Sequence, residues 1–216
     1  MSPDRPVADE VRVFEAGLLP EHGPRSIHAH VTRPIVQRLV DMQAHTVLEM
    51  GCGDGWFTGA LHRCGYDVTG ADRDPEPLRL ARQHYPHVPF VQLDATEPLR
   101  RELARRFDAV VAIDVIDHMP APRKLVETAL AAVKPGGLLV LTAPYQGYAK
   151  NIALAMTGRF DARWEALAEN GRIKFFSRST LLGLIEPFDL RQVHLQTVGR
   201  IPMFARCMLV SGRSPV

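Results

Sequence analysis

Apolar residues along this chain form two kinds of run, short strand-like ones and ones with helical spacing. Five short apolar runs predict strands, and the run at 107–114 is continuous, as is typical of a strand buried on both faces of a parallel sheet. They span residues 46–50, 67–72, 88–92, 107–114 and 138–144. Four runs between them carry apolar side chains at helical spacing and predict helices. They span residues 56–65, 75–85, 97–106 and 121–133. This alternation predicts a parallel sheet, because parallel strands need crossover connections.

The two ends of the chain depart from this alternation. The first 30 residues hold several prolines without sustained periodicity and predict an N-terminal arm, after which a helix is predicted from Thr32-Arg33-Pro34. Residues 145–176 predict an irregular, lid-like insertion. The remaining runs predict a helix at 177–187 and an antiparallel hairpin near 188–198 and 203–211, joined through Pro202. We expect a single domain over residues 1–216.

Composition excludes several classes of protein. The 216 residues are 23% charged with a net charge of +2, and the basic residues are scattered, which argues against a nucleic-acid surface. No stretch approaches the ~20 consecutive apolar residues of a membrane span. Cys52, Cys64 and Cys207 lie too far apart for a zinc pattern or a disulfide framework. We expect a cytoplasmic monomer or homodimer without a nucleic-acid partner or membrane segment.

The first predicted strand runs into three alternate glycines, in the sequence VLEMGCGDG at 47–55. A dinucleotide fingerprint would place a third glycine where this chain has Trp56, and Asp54 would disfavour a pyrophosphate. S-adenosylmethionine carries no phosphate, and its ammonium suits Glu49 or Asp54. Asp72, at the end of the second strand, would accept ribose hydroxyls, although NAD enzymes use the same device. Asp94, after the third strand, suits an adenine amino group.

The runs VLEMGCGDG, VTGADRD, VQLDA, FDAVVAIDVIDH and VKPGGLLVLTAP together resemble the class I S-adenosylmethionine-dependent methyltransferases, in order and spacing, over about residues 45–145. The resemblance implies a Rossmann-like seven-stranded α/β sheet, mostly parallel with an antiparallel last strand and helices on both faces. Carried over by position, it implies cofactor contacts at Glu49, Gly51, Cys52, Gly53, Asp72, Arg73, Asp94, Ala95, Ile113 and Asp114.

The segment IDVIDHMPAP, at the end of the fourth strand, holds Asp114, Asp117 and His118. It resembles an acid-x-x-acid-His motif of the ubiquinone-biosynthesis O-methyltransferases, which has glutamates in place of these aspartates. That resemblance implies a magnesium ion bound by Asp114, Asp117 and His118. Two other interpretations stay open: His118 acts as a general base, with Asp117 as a second catalytic residue, or both side chains begin and cap the next helix.

The insertion at 145–176 holds six of the fifteen aromatic residues of the chain. It follows the fifth strand, at the sheet edge where open α/β sheets bind ligands. An aromatic surface suits a planar or apolar acceptor, and packing on the sheet accounts for part of these rings. Candidate substrate-binding residues are Tyr145, Tyr148, Trp164 and Lys174. Arg172 stands where relatives are expected to have histidine, and it could instead meet an acidic substrate.

These observations predict an S-adenosylmethionine-dependent methyltransferase that acts on a small-molecule acceptor. The preferred reaction is O-methylation of a phenolic, quinone-precursor or secondary-metabolite acceptor. Transfer to nitrogen or carbon is an alternative within the class. A nicotinamide-dependent oxidoreductase and a protein that binds S-adenosylmethionine without turnover are alternatives outside it.

Overall fold

The computed structural model describes residues 29–97, 103, 105–159, 171–199 and 205–216. Its helices are α1 (Ala29–Asp41), α2 (Trp56–Arg63), α3 (Pro75–His84), α4 (Pro122–Ala132), α5 (Tyr148–Met156) and α6 (Arg178–Ile185). Its strands are β1 (Thr46–Met50), β2 (Asp67–Asp72), β3 (Phe90–Gln92), β4 (Phe107–Ala112), β5 (Val133–Pro144), β6 (Arg191–Val198) and β7 (Cys207–Arg213). Short 3₁₀ helices span Ile116–His118 and Glu186–Phe188.

The strands form one seven-stranded sheet in the order β3-β2-β1-β4-β5-β7-β6. Strands β1 to β5 pair in parallel, whereas β7 is antiparallel to both of its neighbours. The predicted mixed sheet with a reversed last strand is therefore confirmed. The strand order changes direction between β1 and β4, and in open α/β sheets ligands bind in the crevice at the carboxyl ends of such strands.

Two apolar cores lie on opposite faces of the sheet, because successive side chains of a strand point to opposite sides. Val110 and Val111 of β4, for example, are both fully buried but belong to different cores. The first core packs β-strand residues against α1, α2 and α3, and the second packs them against α4 and α6. This arrangement holds the strand ends, and therefore the loops that follow them, in fixed positions.

Helix α1 begins earlier than predicted, at Ala29, so that Pro34 lies inside the helix rather than in its first turn. A proline at this position removes one backbone hydrogen bond. Val31 and Ile35, which flank it, are fully buried in the first core. Burial of these side chains offsets the local cost, which is a tertiary effect that the local pattern does not contain.

Strand β5 also begins earlier than predicted. Lys134, Pro135, Gly136 and Gly137 precede the predicted strand at 138–144, but in the structure they lie within β5, in an irregular stretch. The pairing moves from Val133 opposite Phe107 to Leu138 opposite Ala109, and Gly136 adopts a φ of 72° there. These residues thus form a bulge instead of preceding the strand.

The insertion predicted to be irregular contains helix α5. Ala149, Lys150 and the Ala153-Leu154-Ala155 stretch have high helix propensity, which the aromatic content obscured. Most of the predicted N-terminal arm, most of the predicted helix at 97–106, residues 160–170 and the hairpin connection at 200–204 lie outside the described residues.

Candidate active site

The glycine turn after β1 adopts backbone conformations that favour glycine, with φ of 76° at Gly51 and 54° at Gly53. A Cβ atom on Gly51 would lie 2.3 Å from Cγ2 of Val115, in the loop after β4. A Cβ atom on Gly53 would meet no atom within 4 Å. Gly51 therefore permits close contact between the loops after β1 and β4, and Gly53 borders open space.

Asp72, at the carboxyl end of β2, is bonded directly to this turn. The Gly53 backbone N donates to Asp72 Oδ2 at 2.9 Å, and the Asp74 backbone N donates to Oδ1 at 3.0 Å. The Gly51 backbone N donates to the Ala71 carbonyl at 2.7 Å. The side chain of Arg73 is exposed, and its carbonyl accepts a bond from Gln92 Nε2. The structure thus brings the predicted ribose acceptor and the glycine turn together.

Glu49 lies beneath the turn and is 3% exposed. The hydroxyl of Thr58, in α2, donates to Glu49 Oε2. Burial raises the pKa of Glu49 to about 8; bonds from Thr58 oppose this shift, and the charges of Asp72 and Asp54 add to it. Burial likewise raises the pKa of the adjacent Cys52 thiol. Glu49 is therefore a buried carboxyl bonded to α2, a partner that the sequence did not reveal.

Asp94 and Ala95 follow β3 at the same edge. Asp94 Oδ1 accepts bonds from the backbone N of Thr96 at 2.8 Å and from its hydroxyl at 2.7 Å, and both bonds lower the pKa of Asp94. The Ala95 carbonyl accepts a bond from Thr128 Oγ1, in α4, at 2.8 Å. These bonds fix the backbone of the loop beside β3.

Strand β4 ends at Ala112, two residues earlier than predicted, because Asp114 adopts a left-handed φ of 52°. Thr142 of β5 holds this conformation: its Oγ1 accepts from the Asp114 backbone N at 2.9 Å and donates to Asp114 Oδ1 at 2.9 Å. Cys207 Sγ, in β7, also donates to Oδ1 at 3.7 Å. Ile113, the residue before Asp114, is 8% exposed. Backbone strain of this kind persists where surrounding structure enforces it.

Asp117 and His118 lie in the 3₁₀ helix after β4, separate from α4, so neither residue caps that helix. The Asp117 side chain is 1% exposed, and its Oδ2 accepts a bond from Arg172 Nε at 3.0 Å. Burial raises the pKa of Asp117 to about 6; His118 and Arg172 oppose the shift, whereas Asp114 adds to it. The His118 side chain is 38% exposed, and its Nε2 lies 3.7 Å from Asp117 Oδ2.

The predicted magnesium site is not supported by this arrangement. Within the part of the chain that the structure describes, no group of three or more His, Cys, Asp and Glu side chains could hold a metal ion. Asp117 is paired with the Arg172 guanidinium, whose positive charge opposes a second cation at the same carboxylate. Asp114 Oδ1 is already bonded to Thr142 and Cys207. Asp114, Asp117 and His118 therefore do not fit a magnesium ion.

The predicted substrate-binding residues lie in different environments. The Tyr145 backbone N donates to the Arg206 carbonyl, and Lys150 Nζ bonds the Tyr145 and Ala205 carbonyls at 2.8 and 2.9 Å. Tyr148, at the start of α5, is 84% exposed. Lys174 has an exposed side chain and contacts the site through its backbone N, which donates to the Asp117 carbonyl at 2.9 Å. Trp164 lies outside the described residues.

Sequence reasoning missed the partners that hold these residues in place. Thr58 and Thr142 are both completely buried hydroxyls. Each interrupts an apolar run, WFTGAL in one case and LLVLTAP in the other. A buried hydroxyl needs a hydrogen-bond partner, so such an interruption is the signal that could have identified them.

The chain is similar to known proteins in sequence and in structure. The family described as "Methyltransferase domain" matches residues 25–195. The ubiquinone biosynthesis O-methyltransferase of Methylobacterium nodulans is 33% identical over 153 residues, which cover 69% of this chain and 61% of the relative. The enzyme of the same name from Xylella fastidiosa is 32% identical over 142 residues, which cover 62% of this chain and 57% of the relative.

The chain thus spans about three fifths of the length of these curated relatives. A crystal structure of magnesium protoporphyrin IX methyltransferase from Synechocystis PCC 6803, with bound SAH, superposes with a TM-score of 0.64 at 15% identity. That superposition covers 99% of this chain and 90% of the other, and at this identity it shows the fold alone. In the described residues, no helix has the length and apolar character needed to cross a membrane.

Proposed function

The chain belongs to the methyltransferase domain family of S-adenosylmethionine-dependent enzymes, and from this membership we propose that it methylates an oxygen atom of a small phenolic or quinone-precursor acceptor. The observation that carries the proposal is the contact between two loops. The glycine turn bonds Asp72, and Val115 of the loop after β4 packs at Gly51. That second loop continues into His118, whose side chain is exposed. These contacts support a cofactor cradle and a candidate base on neighbouring loops.

The residues of the cradle fit S-adenosylmethionine, which when bound supplies an electrophilic methyl group on a positively charged sulfur. Open space beside Gly53 leaves room for a ligand against bare backbone. Asp72 would accept bonds from ribose hydroxyls, and Asp94 with Ala95 would contact the adenine. Glu49 would face the cofactor ammonium from beneath the turn, where its buried carboxyl is held by the bond from Thr58.

At the acceptor, the chain has to orient an oxygen nucleophile and remove its proton. His118 is the candidate base, because an imidazole accepts a proton near neutral pH. Its side chain is exposed in the loop that follows β4. Asp117, which the sequence predicted as a second catalytic residue, is 1% exposed. We therefore place Asp117 behind His118 and out of contact with the acceptor.

Transfer to oxygen is preferred to the alternatives because the similar relatives are named O-methyltransferases. Transfer to nitrogen or carbon would not require proton removal by His118, so a variant of His118 separates these cases. Membership of a methyltransferase family disfavours a nicotinamide-dependent oxidoreductase. The three free cysteines accord with the cytoplasmic location that completes this proposal.

The first test is calorimetric titration with S-adenosylmethionine, S-adenosylhomocysteine and NADH, each with EDTA and with magnesium. We expect the two adenosyl ligands to bind, NADH not to bind, and magnesium to have no effect. Binding of NADH, or of none of the three, would contradict the proposed cofactor.

The second test is a screen for methyl transfer from labelled S-adenosylmethionine to phenols, catechols, amines and carbon acids. With a phenolic acceptor, His118→Ala should lower kcat by about 100-fold or more, as expected for loss of a general base, and should leave S-adenosylhomocysteine binding unchanged. His87→Ala is the matched control. His87 is exposed in the loop before β3, and this loop lies at the amino ends of the parallel strands, whereas the proposed site lies at their carboxyl ends. Turnover of amines alone, or unchanged turnover of phenols by His118→Ala, would contradict the proposal.

A further inference from the structure

Two segments far apart in the sequence meet at Asp117. Arg172 Nε donates to Asp117 Oδ2 at 3.0 Å, across 55 residues of chain. The backbone N atoms of Ile173 and Lys174 both donate to the Asp117 carbonyl at 2.9 Å. One residue of the loop after β4 therefore accepts three hydrogen bonds from the segment that precedes α6.

The Asp117 carboxylate depends on Arg172 for charge compensation. Its side chain is 1% exposed, and Oδ1 is buried with no hydrogen-bond partner among the described residues. Besides Arg172, the charged or titratable groups that act on it are His118, on the same turn, and Asp114, at the end of β4. A buried carboxylate is stable only when it is paired, and Asp114 adds a second negative charge.

Arg172 and His118 approach the same oxygen of Asp117. Arg172 Nε lies within hydrogen-bonding distance of Oδ2, whereas His118 Nε2, at 3.7 Å, lies beyond it. The Arg172 side chain is 17% exposed and the His118 side chain 38% exposed. The guanidinium thus occupies the oxygen that the imidazole would otherwise bond.

We propose that Arg172 is a positioning residue for His118: by binding Asp117 Oδ2, it prevents an imidazole–carboxylate bond and leaves the ring available to the acceptor. The inference rests on the proposed function, in which His118 takes the proton of the acceptor. It also gives Asp117 a role as an anchor between the loop after β4 and segment 171–174, in place of the metal ligand that the sequence suggested.

The test measures the reactivity of His118 without methyl transfer. Each variant is treated with diethyl pyrocarbonate, and the modification rates of His118 and of the exposed reference His87 are followed by peptide mass spectrometry. Arg172→Met should slow modification of His118 by about fivefold, a coupling typical of neighbours in one network, because the freed carboxylate then bonds the ring. The His87 rate should not change, and Arg172→Lys should retain part of the wild-type rate.

Two further variants separate positioning from simple stabilisation. Asp117→Asn combined with Arg172→Met removes the carboxylate that would capture the ring, so the His118 rate should return towards wild type. Arg79→Met is the matched control, because Arg79 forms an exposed pair with Glu76 in α3. S-adenosylhomocysteine affinity is measured for every variant to confirm folding, and Asp117→Asn alone provides the result if Arg172→Met does not fold.

An unchanged His118 rate in Arg172→Met, or a slow rate that Asp117→Asn does not restore, would overturn the inference. A slow His118 rate in Asp117→Asn alone would also overturn it, because the carboxylate itself would then activate the ring. With an acceptor from the screen, Arg172→Met should lower kcat about fivefold at unchanged KM for S-adenosylmethionine. Failure to find any acceptor would defeat the proposed function without altering the reactivity result.

Discussion

The carboxylates at the two ends of β4, Asp108 and Asp117, differ in how they are hydrogen-bonded. At the amino end, Asp108 Oδ2 accepts bonds from the backbone N atoms of His45 and Thr46 and from the Thr46 hydroxyl, while Oδ1 binds Lys134. Just beyond the carboxyl end, Asp117 Oδ2 binds Arg172, and its Oδ1 has no partner among the described residues. Asp108 is thus satisfied locally, whereas Asp117 depends on a distant segment.

The pKa shifts follow the same division. Partial burial alone would raise the pKa of Asp108, but hydrogen bonds from Lys134, Thr46 and His45 hold it well below its usual range. Burial raises the pKa of Asp117 to about 6 and that of Glu49, at the carboxyl end of β1, to about 8. Asp108 is thus stabilised as a charge, whereas Asp117 and Glu49 are desolvated, which is common for carboxyl groups at functional sites.

The largest expected effect comes from the two ends of β2. Asp72→Ala should lower the affinity for S-adenosylhomocysteine about 100-fold, because two hydrogen bonds from ribose to a carboxylate are lost. Asp67→Ala, at the amino end, removes an exposed pair with Arg105 and should leave the affinity unchanged. Calorimetry measures both variants, and equal losses would show that the two edges do not differ in function.

A smaller effect is expected at the amino end of β4. Asp108→Ala should lower the free energy of unfolding by about 2 kcal/mol, because it leaves the Thr46 backbone N and the Lys134 ammonium without their acceptor. Affinity for S-adenosylhomocysteine should not change. Glu127→Ala, which breaks an exposed pair with Lys124, is the control for loss of a surface charge pair. Chemical denaturation measures stability, and a loss of cofactor affinity in Asp108→Ala would contradict the comparison.

Thr142→Val should cost about 1 kcal/mol of folding free energy, because the two bonds that hold Asp114 at its left-handed φ are lost. Unlike Asp108→Ala, it should also weaken S-adenosylhomocysteine binding, since Asp114 borders the proposed site. Thr142→Ser keeps the hydroxyl and should restore both quantities. Thr142→Val with wild-type affinity would show that the geometry of Asp114 does not matter for the cofactor.

A further contrast is a pH dependence of stability that has opposite signs at Glu49 and Asp108. The folded-state pKa of Glu49, about 8, exceeds its ordinary value of 4.5, so between these values the folded chain retains a proton that the unfolded chain has lost. Stability should therefore fall as pH rises through this window, by at most about 1.4 kcal/mol per pH unit, the limit for a single proton. Glu49→Gln should remove this slope, as measured by denaturation at several pH values.

The depressed pKa of Asp108 has the reverse consequence, because its contribution to stability is present above the ordinary aspartate pKa and is lost as pH falls through the folded-state value. Asp108→Ala should therefore remove a loss of stability below about pH 4. A Glu49→Gln variant that keeps the wild-type slope would assign the neutral-pH dependence to other groups.

Local patterns were sufficient for the framework and for the positions of the residues proposed to hold the cofactor. Short apolar runs predicted β1, β2 and β4, and the continuous run at 107–114 is typical of a strand buried on both faces. The positions of Asp72 and Asp94 followed from strand ends that share one edge of a parallel sheet. The early starts of α1 and β5 were not predictable, because they depend on burial of Val31 and on the pairing of Val133 with Phe107.

The sequence by itself determined the fold class and the family, because periodicity and glycine spacing act over a few residues. Only the tertiary structure decided the burial and the hydrogen-bond partners of Asp114, Asp117 and Glu49. Their partners Thr142, Arg172 and Thr58 lie 28, 55 and 9 residues away along the chain. Whether a carboxylate binds a metal, anchors a segment or stays protonated depends on which remote groups remove its water and compensate its charge, and that is settled only when the chain is packed.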